Sequence, residues 1–255
     1  MKKVIAILLV LCVAVTLFAA GSVKVGGSFN FITGGTRDLE ASLYDADGNK
    51  VIPTFALDKG ATYKTNGFGF DVACDFDVAK DLVVWADFNM VFGADAKSKI
   101  EGSVEESLDD LYKLYKDGVG DKAYKKINVI TFGSGVAYKL TLDPVDVKLG
   151  GGLFLNRGFG KVGYKNGDIE EYEMFKSINF GLSLYADASY KINKNFGVGL
   201  TLMPQIGLFN STTMTQYDSD GGLDEIPTAV KGEIIAKGLK LSFAMPIVVG
   251  VSYSF

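Results

Sequence analysis

Histidine is absent from the sequence, which excludes Ser-His and Asp-His catalysis and imidazole metal ligands. Proline and cysteine are scarce, with five and two residues, and there is a single tryptophan. Long apolar runs are also missing after residue 22, so we expect no membrane-spanning helix in the remainder of the chain. We predict that the protein is not an enzyme and binds neither a metal nor a cofactor.

The one continuous apolar run lies at the N-terminus. Lys2 and Lys3 precede it, residues 4–18 are almost wholly apolar, and small residues follow at 19–21. This is the pattern of a secretory signal peptide, so we predict that residues 1–21 are removed and residues 22–255 form the mature domain. The run is short for a bilayer span, and Cys12 lacks the context of a lipidation site. Cleavage would remove Cys12 and leave Cys74 without a disulfide partner. We therefore interpret Cys74 as a small apolar residue of the barrel wall rather than as a nucleophile.

The charge balance disfavours nucleic-acid binding. Loss of Lys2 and Lys3 from the 26 basic residues leaves 24 against 30 acidic residues, a net charge near −6. An acidic chain of this kind repels a polyanion.

Apolar and polar residues alternate through most of the mature chain, which is the signal of a half-buried β-strand. In the first such segment Val23, Val25 and Phe29 alternate with Lys24 and Ser28. Eight segments of this type occur, near residues 23–31, 67–76, 82–92, 130–140, 147–155, 178–190, 196–208 and 239–255. We therefore predict an all-β fold with eight strands.

The connections between these segments differ in length. Short turns are predicted near 77–81, 141–146 and 191–195, whereas the connections at 33–65, 93–127, 156–176 and 210–236 are long. Short turns at one end and long loops at the other are typical of outer-membrane barrels. The pattern predicts an antiparallel, up-and-down transmembrane β-barrel with four long extracellular loops and both termini on the periplasmic side.

One face of each segment carries large apolar residues, and the other carries mainly glycine, small polar and charged residues, with Trp85 and Phe154 as exceptions. Small residues suit the crowded lumen of an eight-stranded barrel, and large apolar residues suit contact with lipid. A soluble lipocalin-like barrel would need the reverse arrangement.

The last alternating segment ends in Tyr253 and Phe255. This ending resembles the C-terminal signature by which the barrel-assembly machinery recognises its clients. Over residues 22–255 the chain resembles the small eight-stranded outer-membrane proteins of the OmpA, OmpX and OmpW type. The resemblance implies a bacterial outer-membrane location, with outer-membrane lipid and the assembly machinery as partners, and an OmpW-like member would pass small apolar solutes.

Charged residues on the inward face are the candidate functional site. Positive and negative side chains balance there, so we predict a lumen-lining network of ion pairs and hydrogen bonds rather than a catalytic acid–base pair. The predicted members are Lys24, Asp71, Asp75, Asp87, Lys139, Lys148, Asp187 and Lys240.

Two functions are consistent with such a barrel, and the family resemblance favours the first. The first is a narrow conduit for small solutes, for which Pro204 and Pro246 inside strands could form a lateral opening or simply relieve strain. The second is a plugged structural or surface barrel whose loops bind a host or envelope partner.

Three local motifs lie in the predicted loops, one helix and two acidic segments. Ser103 and Glu106 fit a capping box for a helix with Leu108, Leu111 and Tyr115 on one face, packed on the rim or binding a partner or membrane surface. The acidic residues at 45–49 and 218–222 flank glycines and could bind calcium, but they lack full ligand spacing and are predicted to be turns.

Overall fold

A computed structural model of the chain describes residues 20–36, 38–45, 47–57, 61–92, 95–100, 106–167, 169–218, 231–237 and 241–255. The predicted signal peptide therefore lies outside the described residues, apart from its last two positions. No helix within these ranges is both long and apolar enough to cross a membrane.

Strands make up most of the described chain. They are β1 (Gly21–Thr36), β2 (Asp38–Tyr44), β3 (Lys50–Leu57), β4 (Ala61–Ala79), β5 (Leu82–Phe92), β6 (Asp95–Ile100), β7 (Glu106–Ser107), β8 (Ala123–Leu142), β9 (Val145–Asn166), β10 (Ile169–Lys191), β11 (Phe196–Leu202), β12 (Gln205–Asp218), β13 (Lys231–Lys237) and β14 (Ser242–Ser254). Between β7 and β8 lies the helix α1 (Leu108–Val119), followed by a 3-10 turn over Gly120–Lys122.

Eight strands close into a ring in the order β1, β4, β5, β8, β9, β10, β11 and β14, with β14 paired back to β1. All of these pairings are antiparallel, so the predicted eight-stranded meander is confirmed. The first and last strands of the ring meet at their ends, because the Phe255 amide donates a hydrogen bond to the Gly21 carbonyl at 3.1 Å. Closure leaves no unpaired strand edge in this part of the barrel.

The two ends of the barrel differ. Tight turns at 80–81, 143–144 and 192–195 connect strands at the end where β1 begins and β14 ends, which we term the turn end. These turns lie where the sequence predicts them. We term the opposite end the loop end.

The barrel wall continues well beyond the predicted strands at the loop end. There β12 pairs with β13, β13 with β2, β2 with β3, and β4 with β6. The predicted long loop at 156–176 is wrong, because these residues form the upper parts of β9 and β10, which turn at Gly167 with φ 65°. This region has polar residues on both faces, so it lacks the alternation that indicates a strand.

Side chains alternate between an exposed apolar face and a buried face. Leu184 and Val249 are 63% and 65% exposed on the outside, whereas Trp85 and Phe154 are buried inside. In β10 the outer apolar face runs from Ile178 to Tyr190, which is ample for the roughly 9–11 residues that cross a bilayer. We treat this apolar band as the membrane-spanning part.

The seventh strand is broken at Met203 and Pro204, between β11 and β12. The wall stays closed across the break, since the Leu184 amide donates to the Pro204 carbonyl at 2.8 Å and the Met203 amide to the Pro246 carbonyl at 3.1 Å. The break therefore accommodates the missing proline N–H groups without a lateral opening.

Candidate functional site

Four of the charged residues predicted for the lumen meet in the turn-end half of the barrel. Lys24 forms an ion pair with Asp187, and Lys148 forms one with Asp75. The Lys148 Nζ also lies 3.8 Å from the second carboxylate oxygen of Asp187. All four side chains are buried. We refer to them as the transluminal cluster.

Each ion pair of this cluster reaches across the lumen. Lys24 on β1 and Asp187 on β10 are separated in the ring by β11 and β14, and Lys148 on β9 and Asp75 on β4 by β5 and β8. Neither pair therefore joins neighbouring strands. Together the two ion pairs tie four strands through the interior.

Hydroxyl groups complete the coordination of both carboxylates. Ser22 donates a hydrogen bond to Asp75 at 2.8 Å, and Thr201 and Ser189 donate to Asp187 at 2.6 Å and 3.0 Å. A buried ion pair repays its desolvation only when its remaining lone pairs are satisfied in this way.

The other predicted acids lie one layer towards the loop end. Asp71 accepts a hydrogen bond from the Asn89 amide at 3.0 Å, and Asn89 in turn accepts one from Asn30 at 2.9 Å. Asp87 is buried, and neither of its oxygens has a hydrogen-bond partner within the part of the chain described. Asp71, Asp87 and Asn89 thus form a polar layer that adjoins the transluminal cluster, since Lys24 interacts electrostatically with both acids.

The remaining predicted lysines lie apart from this cluster. Lys139 is half-buried near the turn end, where its Nζ lies 3.2 Å from Asp77. Sequence reasoning assigned Asp77 to a turn, although its parity with Asp75 on β4 would have indicated an inward side chain. Lys240 lies outside the described residues.

An aromatic stack also crosses the lumen. The rings of Trp85 on β5 and Tyr185 on β10 are nearly parallel, at an interplanar angle of 11° with centroids 4.6 Å apart. Both are buried against Val83, Met203 and Val248. Gly133 leaves room for the Trp85 ring, since a Cβ at this position would lie 3.0 Å from it. The strands β8 and β9 separate β5 from β10 in the ring, so the stack obstructs the pore.

An apolar cluster lies in the loop-end half of the lumen, beside buried polar residues that include Asn156, Gln205 and Asn210. The buried cluster there comprises Ile32, Tyr63, Val91, Ile127, Val129 and Ala244, with Leu108 and Phe175 packed against it. The Asn179 amide donates a 2.7 Å hydrogen bond to the Tyr63 hydroxyl, which satisfies the one polar group of the cluster. This cluster lies between the polar layer and α1.

The helix α1 packs against the inner face of the wall rather than on an outer rim. Its Tyr115 donates a hydrogen bond to Glu171 at 2.8 Å, and Asp109 forms an ion pair with Lys125. Burial, together with the hydrogen bond to Glu171, raises the pKa of Tyr115 well above its usual range. The helix therefore covers the loop end of the lumen from inside.

The start of this helix differs from the prediction. Ser107 is the N-cap, and its hydroxyl accepts a hydrogen bond from the Asp109 amide at 3.2 Å. Glu106 belongs to β7, and Ser103 lies outside the described residues. The predicted capping box was wrong because Ser107, followed by Asp109 and Asp110, offers a better start to the first turn.

The first acidic motif forms a turn closed by its own residues. Asp45 accepts hydrogen bonds from the backbone and side-chain amides of Asn49 at 2.8 Å and 3.2 Å. Gly48 between them has φ 82°, a conformation that favours glycine. Throughout the described ranges, no group of three or more His, Cys, Asp or Glu residues is placed to hold a metal ion.

Comparison with known proteins supports the fold. No protein-family model and no curated protein matches the chain. The outer membrane protein OprG of Pseudomonas aeruginosa is similar in structure, with 12% identity, coverage of 93% of this chain and 96% of that chain, and a TM-score of 0.50. A major outer membrane protein of Thermus thermophilus shows 16% identity, coverage of 90% and 99%, and a TM-score of 0.52. The chain therefore has the fold of a small outer-membrane β-barrel.

Proposed function

We propose that this protein is a closed barrel of the bacterial outer membrane, which anchors its extended loop-end walls as a structural or surface-interaction element. The observation that carries the proposal is the filling of the lumen by the transluminal cluster and by the Trp85–Tyr185 stack. A conduit needs an open path, whereas here ion-paired and stacked aromatic side chains reach across the lumen. The exposed apolar band supports placement in the membrane.

In this placement the turn end faces the periplasm, and the loop end faces the cell exterior. Tyr253 and Phe255 would then serve as the assembly signal at the end of the closing strand. The upper walls, formed by β9, β10, β12 and β13, would provide the surface for an envelope or host partner. Outer-membrane lipid would surround the band.

Electrical recording tests the closed lumen. We expect the chain, folded in a planar lipid bilayer, to show no discrete channel openings at moderate voltage. Its folding would be verified first by a heat-dependent shift in gel mobility. Regular openings of a folded barrel would support the solute conduit predicted from the sequence and would contradict the proposal.

A further inference from the structure

Four cations surround one aromatic residue on the outer face of the barrel. Phe159 on β9 is flanked along its own strand by Arg157 and Lys161, and Lys176 lies directly opposite it on β10. Lys126 on β8 lies directly opposite Lys161. These four residues form what we term the cationic cluster.

The cluster faces outwards. Even-numbered residues of β8 and β10 and odd-numbered residues of β9 share the side that exposes Phe132, Leu155 and Phe180. Lys126, Arg157 and Lys176 are themselves exposed. The cluster therefore adjoins the loop-end border of the apolar band, where Ile130 and Ile178 lie opposite Arg157 on the neighbouring strands.

The positive charge of the cluster is only partly balanced. Lys161 donates a hydrogen bond to Glu170 at 2.9 Å, and its Nζ lies 3.5 Å from the centre of the Tyr172 ring. Within the described ranges, Lys126, Arg157 and Lys176 form no ion pair. Like charges directly opposite on neighbouring strands are destabilising, so the pair of Lys126 and Lys161 favours a bound anion.

We infer that the cationic cluster binds the phosphorylated headgroup of an outer-leaflet lipid. Lysine and arginine form charge-assisted hydrogen bonds with phosphate oxygens, and Asn128 opposite Phe159 adds an amide donor. A lipid fits better than free phosphate, because its acyl chains would lie on the apolar band directly beneath the headgroup. The stacked rings of Tyr172 and Tyr217, with centroids 5.0 Å apart, lie on the loop-end side of the cationic cluster, as expected of an interfacial aromatic belt.

The inference rests on the proposed placement in the outer membrane, and its test is independent of conductance. The folded chain would be titrated in phosphate-free detergent with bisphosphorylated lipid A, with the same lipid after dephosphorylation, and with inorganic phosphate. Bound ligand would be counted by native mass spectrometry. We expect the phosphorylated lipid to bind at least about tenfold more tightly than either of the other ligands.

The triple variant Lys126→Gln/Arg157→Gln/Lys176→Gln should lose this preference while still folding, as judged by the heat-dependent gel shift. A matched variant, Lys113→Gln/Lys116→Gln/Lys122→Gln, removes three exposed cations from α1 and the 3-10 turn after it. This variant should keep the preference for the phosphorylated lipid. Equal binding of the two lipids, retention of the preference by the first variant, or equally tight binding of inorganic phosphate would overturn the inference. Channel openings in the recording would contradict the closed barrel alone and leave the lipid preference unaffected.

Discussion

Single residues in the lumen matter because their partners lie on distant strands. Lys148 and Asp75 are 6% and 9% exposed and are separated by two strands of the ring, so loss of Lys148 leaves the buried Asp75 carboxylate without its ion-pair partner. Removing one partner of such a pair is usually far more costly than replacing both by apolar residues. The transluminal cluster therefore makes specific predictions about stability.

We expect Lys148→Met to lower the free energy of unfolding by about 3–5 kcal/mol, because Asp75 would lose its cation in a buried site. Urea unfolding in lipid vesicles, followed by tryptophan fluorescence, would measure the change. The double variant Lys148→Met/Asp75→Leu should recover much of the loss.

The control for this prediction is Lys113→Met. Lys113 pairs with Asp110 at 3.0 Å, but its side chain is 71% exposed, so little change is expected. A double variant as unstable as Lys148→Met alone would show that the ion pair is not the source of the effect.

The inward positions of these residues could be predicted from the sequence, but their pairing could not. Alternation along each strand indicates that Lys24, Lys148 and Asp187 share the inner face. Which lysine meets which aspartate depends on the stagger of strands that are distant in the chain, and local periodicity carries no information about that stagger. The stacking of Trp85 on Tyr185 could not be predicted from the sequence for the same reason.

At the scale of elements, α1 is the least firmly held part of the described lumen. None of its residues is fully buried, and much of its attachment comes from Tyr115 and Asp109 at the inner wall. Elements with few buried contacts open more readily than core strands. The helix should therefore exchange its amide protons faster than β9 or β10.

Tyr115→Phe should loosen α1 further. Loss of the hydrogen bond to Glu171 is expected to cost about 1 kcal/mol, which corresponds to roughly fivefold faster amide exchange in the helix. Hydrogen exchange read by mass spectrometry would measure it. Tyr112→Phe is the control, because within the described residues no hydrogen bond involves the Tyr112 hydroxyl; equal effects of the two variants would contradict the account.

The hairpin of β9 and β10 carries a pH-sensitive contact beyond the apolar band. The hydrogen bond from Lys161 lowers the pKa of Glu170 below its ordinary value of 4.5. Burial of Lys161 acts to lower its own pKa, but its hydrogen bonds to Glu170 and Tyr124 outweigh this and raise the pKa above 10.5. A depressed carboxylate pKa stabilises the hairpin above pH 4.5, and this stabilisation is lost as the pH falls through the folded-state pKa.

We expect the Glu170 carboxyl carbon, followed by NMR, to titrate with a midpoint below 4.5. Lys161→Gln should move the midpoint upwards. Lys165→Gln should move it less, because the Lys165 Nζ lies 3.7 Å from Glu170 and its side chain is 63% exposed. An unshifted midpoint in Lys161→Gln would show that the contact does not form in solution.

Strand prediction succeeded where one face meets lipid and failed where both faces are polar. The outer apolar side chains of 178–190 make the strand visible in the sequence, whereas the continuation of β9 to Asn166 has Arg157 and Lys161 on its outer face. The sequence likewise could not predict on which side of the wall α1 packs, because an amphipathic helix has the same residue pattern whether it packs inside or outside a wall.

At the scale of the whole molecule, the barrel combines a closed interior with walls that extend past the membrane band. The interior holds the transluminal cluster and the Trp85–Tyr185 stack in its turn-end half, and polar residues with an apolar cluster towards α1. This arrangement favours a rigid anchor over a solute pathway.

The most direct test of the closed lumen is the single-channel conductance of the folded chain beside the variant Trp85→Ala/Tyr185→Ala. A matched control, Phe70→Ala/Phe92→Ala, removes a stacked pair from the outer face. The account predicts silence from the unaltered chain and from the control; any openings should be confined to the variant without the lumenal stack, in which the transluminal cluster still crosses the lumen. Steady openings of the unaltered chain, unchanged by loss of Trp85 and Tyr185, would contradict it.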